Sequence, residues 1–248
     1  MRLLILAYGV ATYALFFAAF AYLVFFVGGE ALPIAAVPKT VDWGASLAPG
    51  ADPALLNLGL LALFGVQHSI MAREGFKRAL TRVIPEAAER STFVLATVGC
   101  LTLLYLYWIP MPGVVWSVGA AVWVWLLRAT FLAGAVIVLV STFLIDHFEL
   151  FGLRQPWTAF RGTPLPSPEL RTPLFYRFVR HPIYAGLLLM FWATPTMTVG
   201  HLLLAGVWTT YMLIGVSYEE RDLLRVFGER YRAYVDSTPM ILPLGRRD

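Results

Sequence analysis

Apolar residues gather into long runs broken by short polar stretches. The first run, residues 3–27, is long enough at about 1.5 Å per residue to cross a hydrocarbon layer about 30 Å thick. It exceeds the apolar core of a secretion signal, about 7–15 residues, and reads as a retained span. The second run, residues 53–71, lies between Asp52 and Arg73; the third, residues 91–109, is closed by Pro110 and Pro112. Residues 114–145 are too many for one straight span and contain Arg128. A charge at mid-bilayer is costly. The pattern therefore predicts Arg128 at an interface and a crossing over residues 130–145. Residues 114–127, with Trp116, Trp123 and Trp125, would lie partly in the outer headgroup belt. A functional buried arginine is the alternative. Residues 183–194 and 202–215, separated by Pro195 and Gly200, read as a tight helical hairpin whose first arm, with its upstream turn, covers residues 174–194. Residues 217–235 are polar and amphipathic. There Leu224, Phe227, Tyr231 and Tyr234 mark one helical face, interrupted mildly at Gly228.

The fold class predicted is all-α: a polytopic transmembrane helical bundle with a C-terminal helical hairpin and a cytoplasmic amphipathic helix. One membrane domain is expected over residues 1–248. It comprises a four-span part (1–145), a cytoplasmic loop (146–180), and the hairpin with its tail (181–248).

Composition agrees with this pattern. Hydrophobic residues make up 59% and charged residues 14%, against about 25% charged in soluble domains. That excludes an ordinary soluble globule, a disordered chain and a disulfide scaffold. Cys100 is the single cysteine; it makes no intramolecular disulfide or zinc site, and no metal site is expected. The formal charge of +4 comes from 19 basic against 15 acidic residues. The basic residues lie in loops, which suits a membrane and not a nucleic acid. Arg73, Lys77, Arg78, Arg82 and Arg90 follow the second run. Arg154, Arg161, Arg171, Arg177 and Arg180 precede the hairpin. Arg221, Arg225, Arg230, Arg232, Arg246 and Arg247 occupy the tail. The alternate loops carry only Lys39 or none. The positive-inside rule then places both termini in the cytoplasm, a parity that six spans satisfy, most simply in a bacterial inner membrane. No obligate protein partner is evident.

The polar chemistry collects at span ends of one predicted face. These are Gln67-His68-Ser69, Asp146-His147-Phe148-Glu149 with Arg154 and Gln155, Tyr176 with Arg180-His181-Pro182-Ile183-Tyr184, and Tyr218-Glu219-Glu220-Arg221. Proline fits the first turn of a helix, and the residue before it is pushed out of helical geometry. His181 is thus expected at a helix mouth whose free N–H groups favour an anion such as a carboxylate. Tyr176 and Tyr184 can sandwich a purine or face a sulfonium cation, and Glu219 and Glu220 supply negative charge. A zwitterion with an apolar or aromatic part is implied. S-adenosylmethionine meets that description, as do several other metabolites. His201, at the opposite hairpin turn, is expected to be structural.

The series Tyr176-Arg177-Phe178-Val179-Arg180-His181-Pro182-Ile183-Tyr184, Glu219-Glu220 and Phe227-Gly228-Glu229-Arg230-Tyr231-Arg232-Ala233-Tyr234 resembles the C-terminal signature of the isoprenylcysteine carboxyl methyltransferase superfamily. The resemblance implies S-adenosylmethionine as methyl donor, S-adenosylhomocysteine as product, and a cofactor site lined by Tyr176, His181, Pro182, Ile183, Tyr184 and Glu219, with Glu220 adjacent. The isoprenylcysteine enzymes carry an arginine shortly before the acidic pair. Here that stretch reads Ile214-Gly215-Val216-Ser217, which weighs against a prenylcysteine acceptor. Gln67 to Arg73, with Phe76-Lys77, and Asp146 to Gln155 are similar to the branch that holds methanethiol S-methyltransferases and the NnrU-like membrane proteins. That branch implies methylation of a small volatile thiol, methanethiol, to dimethyl sulfide.

In-line transfer needs a thiolate, and a thiol with a pKa near about 8.5 needs a base. His147 is the first candidate, with Asp146 and Glu149 to orient or charge-balance it; His68 is the second. Arg154 can grip a carboxylate of the cofactor or of the protein. Two other readings remain open on the residues. One is a lipid or isoprenoid acceptor. The other is a non-catalytic membrane protein with His68 and His147 as haem or metal ligands.

Overall fold

A computed structural model describes residues 1–32, 37–167 and 169–243. Arg246 and Arg247, counted above in the basic tail, lie outside the described residues. The described chain is an all-α membrane bundle with one short two-stranded sheet. Five helices among the described residues are long and apolar enough to cross a membrane: α1 (Arg2–Gly28), α2 (Pro53–Ala72), α4 (Glu86–Tyr107), α5 (Ala121–Ile145) and α9 (Val199–Phe227). Leu4, Leu55 and Val122 stand exposed on them, as hydrocarbon-facing side chains do. The protein is an integral membrane protein.

The chain folds into two compact units. The first comprises Met1–Gly29, Ile34–Pro112 and Asp146–Ser167. In it α1 and α2 each pack against α4, and α7 (Arg154–Arg161) lies against α1 and α4. Two short helices complete it, α3 (Glu74–Leu80) and α6 (His147–Leu150). Asp52 caps α2 by accepting from Leu55 N, with Pro53 in the first turn. Phe16, Phe93, Val94 and Val98 form a buried cluster against which Phe20, Met71 and Phe151 pack. The chain turns between α6 and α7 at Gly152, whose φ of +75° is left-handed. A Cβ there would stand 2.7 Å from Ser91 N, so both conformation and space call for glycine.

The second unit comprises Glu30–Pro33, Gly113–Ile145 and Pro168–Asp248. In it α5 packs along α8 (Pro182–Trp192), and α10 (Glu229–Ser237) folds onto α9. Strand β1 (Val114–Ser117) pairs antiparallel with β2 (Thr196–Thr198). Thr198 caps α9 by accepting from His201 N at 3.0 Å. His201 is buried and its Nε2 lies 2.9 Å from Phe191 O, a local tie between the arms of the hairpin.

Three expectations change. Residues 174–194 do not make one continuous helical arm. A 3-10 turn at Leu174–Arg177 is followed by a break, and α8 begins at Pro182. The proline, with no N–H and a restricted predecessor, sets that start. The 11 residues of α8 rise only about 16 Å, about half a hydrocarbon layer. The buried leg beyond it is extended, and its backbone is hydrogen-bonded to the chain around β1, Pro195 O accepting from Val118 N at 2.9 Å and Val199 N donating to Gly113 O at 2.7 Å. Irregular backbone satisfied in this way is compatible with membrane depth. Second, α5 starts at Ala121 and runs through Arg128, whose guanidinium lies 5.1 Å from the Trp125 ring centre. The cation–π contact and the long side chain let one continuous helix carry this charge near its end. Third, the tail is not a separate helix from Ser217. α9 continues to Phe227 and breaks at Gly228, with φ +57° and ψ −132°. Leu224 and Phe227 therefore sit on a different helix from Tyr231 and Tyr234.

α5 and α8 meet backbone to backbone. A Cβ on Gly186 would lie 2.6 Å from Gly134 O, and one on Gly134 would lie 2.6 Å from Gly186 O. Alanine raises helix propensity by up to about 1 kcal/mol, but the overlap is with backbone that cannot rotate away. Overpacking of this kind costs about 1–3 kcal/mol. We expect Gly186→Ala to lower the thermal midpoint in detergent, whereas Gly206→Ala on α9, where nothing lies within 4 Å, leaves it unchanged or raised.

Candidate active site

The predicted site residues fall into two groups, one inside each unit. In the second unit the break before α8 brings the Arg180-His181-Pro182 stretch against the end of α9. Arg180 Nε and Nη2 both donate to Glu220 Oε1, at 2.7 and 2.6 Å. Arg180 Nη1 donates to Val235 O at 3.1 Å and also to Thr238 O. The backbone follows the same course: Arg180 N donates to Pro239 O and His181 N to Met240 O. Arg180 thus ties the start of α8, the end of α9 and the segment after α10 into one knot.

His181 is buried, its Nε2 3.1 Å from Glu220 Oε1 and its Nδ1 3.9 Å from Glu219 Oε1. Tyr184 donates to Glu219 Oε2 at 2.8 Å. The two acidic neighbours therefore differ. Glu220 is 20% exposed and shared between Arg180 and His181. Glu219 is 45% exposed, and its described polar contacts are Tyr184 and the more distant His181. Pro182 and Ile183 form the first turn of α8, whose N-terminus no side chain caps. Tyr176 is buried and reaches Ser141 O at 3.4 Å, and Tyr234 donates to Tyr176 O. Burial, reinforced by the acidic pair, pushes the Tyr231 hydroxyl up to about 12 against the opposing pull of Arg180. Burial also raises Tyr176 and Tyr234. These phenols stay protonated.

In the first unit Asp146 accepts from Glu149 N at 3.0 Å and so caps α6. Its other oxygen pairs with Arg154 Nη1 at 2.6 Å. Arg154 therefore grips a carboxylate of the protein. His147 is 3% exposed. Its ring is enclosed by Tyr13, Phe148 and Phe151, with centroids 5.7, 5.4 and 4.9 Å away, and its Nε2 lies 2.8 Å from the Tyr13 hydroxyl. Burial lowers the His147 pKa below its usual 6.5, and Asp146 opposes the shift. The Glu149 carbonyl accepts from Gln155 at 3.2 Å. The turn is fixed from α4, since Arg90 donates to Leu150 O at 2.8 Å and Ser91 to Gly152 O at 2.6 Å. His68 stacks on Phe64 and leans on Phe93, at 5.5 and 4.8 Å. His68 thus borders the aromatic cluster at Phe93, and His147 borders it at Phe151.

The sequence reading missed Tyr13, Arg90 and Ser91. Tyr13 carries a hydroxyl inside an otherwise apolar run, a group that has to find a partner, and that was the available signal. Arg90 and Ser91 counted only as a loop charge and a span start.

The chain is similar to known proteins over most of its length. The family model described as phospholipid methyltransferase matches residues 129–230, which span Asp146 to Arg154 and Tyr176 to Glu220. A protein of Mycobacterium tuberculosis named methanethiol S-methyltransferase is 48% identical over 99% of this chain and 98% of its own length. Methanethiol S-methyltransferase 2 of Bradyrhizobium diazoefficiens is 46% identical over 98% of this chain and 91% of its own. Methanethiol S-methyltransferase 1 of the same organism is 45% identical, covering 96% and 82%. No solved structure matches.

Proposed function

This chain belongs to the methanethiol S-methyltransferase family, and on that premise we propose that it moves a methyl group from S-adenosylmethionine to methanethiol, giving dimethyl sulfide and S-adenosylhomocysteine. It is an integral membrane methyltransferase. The observation that carries the donor half is the asymmetry of the acidic pair: Glu220 is consumed by Arg180 and His181, while Glu219 is half-exposed beside the uncapped start of α8. A zwitterion fits such a donor set. Glu219 faces the cationic part, the first-turn N–H groups of α8 face the carboxylate, and Tyr176, His181, Pro182, Ile183 and Tyr184 line the remainder. Arg180 and Glu220 hold that frame. S-adenosylmethionine supplies, when bound, an electrophilic methyl group on a sulfonium centre.

For the acceptor half, His147 serves as base. Its neutral form is favoured at pH 7 by burial, and Asp146, held by Arg154, steadies the turn that carries it. Glu149 contributes negative charge on the same short helix, and His68 is the second candidate base. The rings around His147 keep water from the base, and a site poor in water should favour a step in which opposite charges cancel. We place the protein in a bacterial inner membrane with both termini cytoplasmic, following the Arg-rich loops, α8 and the extended leg after it together making the sixth crossing. The chain acts as one methyltransferase domain.

The reading is tested with the full chain purified in detergent, labelled S-adenosylmethionine and headspace analysis. Donor binding and dimethyl sulfide release are expected. Glu219→Gln should weaken donor binding about 10–100-fold, the loss of one charge-assisted contact, without lowering the thermal midpoint. Absence of donor binding overturns the reading. Label recovered in extracted lipid and not in the headspace transfers it to a lipid acceptor, the alternative that the phospholipid methyltransferase match favours.

A further inference from the structure

We propose that Tyr13 is a catalytic residue, its hydroxyl relaying the thiol proton to His147. The proposal rests on the reading of His147 as base. His147 is 3% exposed, and its Nε2 is met by the Tyr13 hydroxyl at 2.8 Å. Rings close around the imidazole at Tyr13, Phe148 and Phe151. On this proposal the thiol meets the Tyr13 hydroxyl and not Nε2; Tyr13 is itself only partly buried, whereas His147 is enclosed. Phenylalanine would fill the same edge-on packing without placing a polar atom inside an apolar span. The hydroxyl is therefore a feature that packing does not require.

The step balances. The thiol S–H bond breaks as its proton joins the Tyr13 oxygen. The original Tyr13 O–H bond breaks as that proton joins Nε2. Tyrosine is regenerated, and a thiolate and an imidazolium remain. The thiolate pair then forms the new S–C bond as the methyl–sulfonium bond breaks, and the imidazolium returns its proton through the Tyr13 hydroxyl by the same exchange in reverse.

The test compares Tyr13→Phe, His147→Gln and the double variant of the full chain in detergent. Tyr13→Phe is expected to lower kcat about 100-fold, within the range for a positioned proton-transfer group, with KM for methanethiol and donor affinity within threefold of the parent. Turnover in mixed light and heavy water should respond nonlinearly in the parent, with two protons in flight, and linearly in Tyr13→Phe. The double variant should be no slower than His147→Gln alone, because the two groups act in series. If Tyr13→Phe keeps kcat and the isotope response while His147→Gln is inactive, the base stands and the relay falls. If His147→Gln keeps full turnover, the base reading itself fails. Should Tyr13→Phe lose donor binding, difluorotyrosine at position 13 keeps ring and hydroxyl; a changed kcat and isotope response then support the relay, and parental values overturn it.

Discussion

Replacing His147 with glutamine is expected to lower dimethyl sulfide turnover by about 10²–10⁴-fold, the span typical of a lost general base, while donor affinity stays near the parent value. The split follows from placement, since His147 belongs to the first unit and the residues proposed to hold the donor to the second. His68→Ala should cost far less, because the described ring contacts of His68 are with Phe64 and Phe93. The pH dependence has a definite sign. Burial holds the His147 pKa below 6.5, with Asp146 pulling it partly back. The acid limb of kcat/KM should therefore lie below pH 6.5. Asp146→Asn, which keeps a side-chain oxygen for the α6 cap, should move that limb to lower pH. Stability moves the same way. As pH falls below about 6.5 the unfolded chain takes up a proton that the folded chain resists. Folding thus weakens from about 6.5 down through the folded pKa. An acid limb above 6.5, or a His147→Gln variant with parental turnover, would remove His147 from the mechanism.

Much of this site was legible in the residues, for a physical reason. Pro182 announces a helix start, the residue before it cannot be helical, and an acidic pair at the end of a span stands out against hydrocarbon. Those signals are local. What escaped depends on contacts between distant segments. Gly134 and Gly186 look like ordinary glycines in apolar helices, and only the 2.6 Å at which a Cβ on either would meet the other's carbonyl oxygen shows that they set the α5–α8 contact. The carbonyls of Val235, Thr238, Pro239 and Met240 carry no side-chain signature, yet they hold Arg180 and His181. The arm over residues 174–194 was drawn too long: the apolar run 183–194 is short for a span, and the upstream turn joined to it for length lies outside the helix that Pro182 starts.

Arg180 is where these two kinds of information meet, and its removal should have the broadest effect. From sequence it is a cation beside a cofactor motif. From structure its donors are taken by Glu220 and by two backbone carbonyls, and its side chain is 9% exposed. Arg180→Ala strands a carboxylate and two acceptors at once. Removing one partner of a buried ion pair costs about 3–5 kcal/mol; Glu220 keeps 20% exposure, which places the expectation near the lower end. We therefore expect a lowered thermal midpoint together with at least a 100-fold loss of donor affinity, because the freed C-terminal segment no longer holds His181 against Glu220. Arg180→Lys keeps the charge but lacks the planar fork that meets three acceptors, and should recover stability only in part. Glu219→Gln provides the contrast: its loss is confined to binding. If Arg180→Ala weakened donor binding with an unmoved thermal midpoint, Arg180 would be a direct ligand of the donor and not the knot that shapes its site.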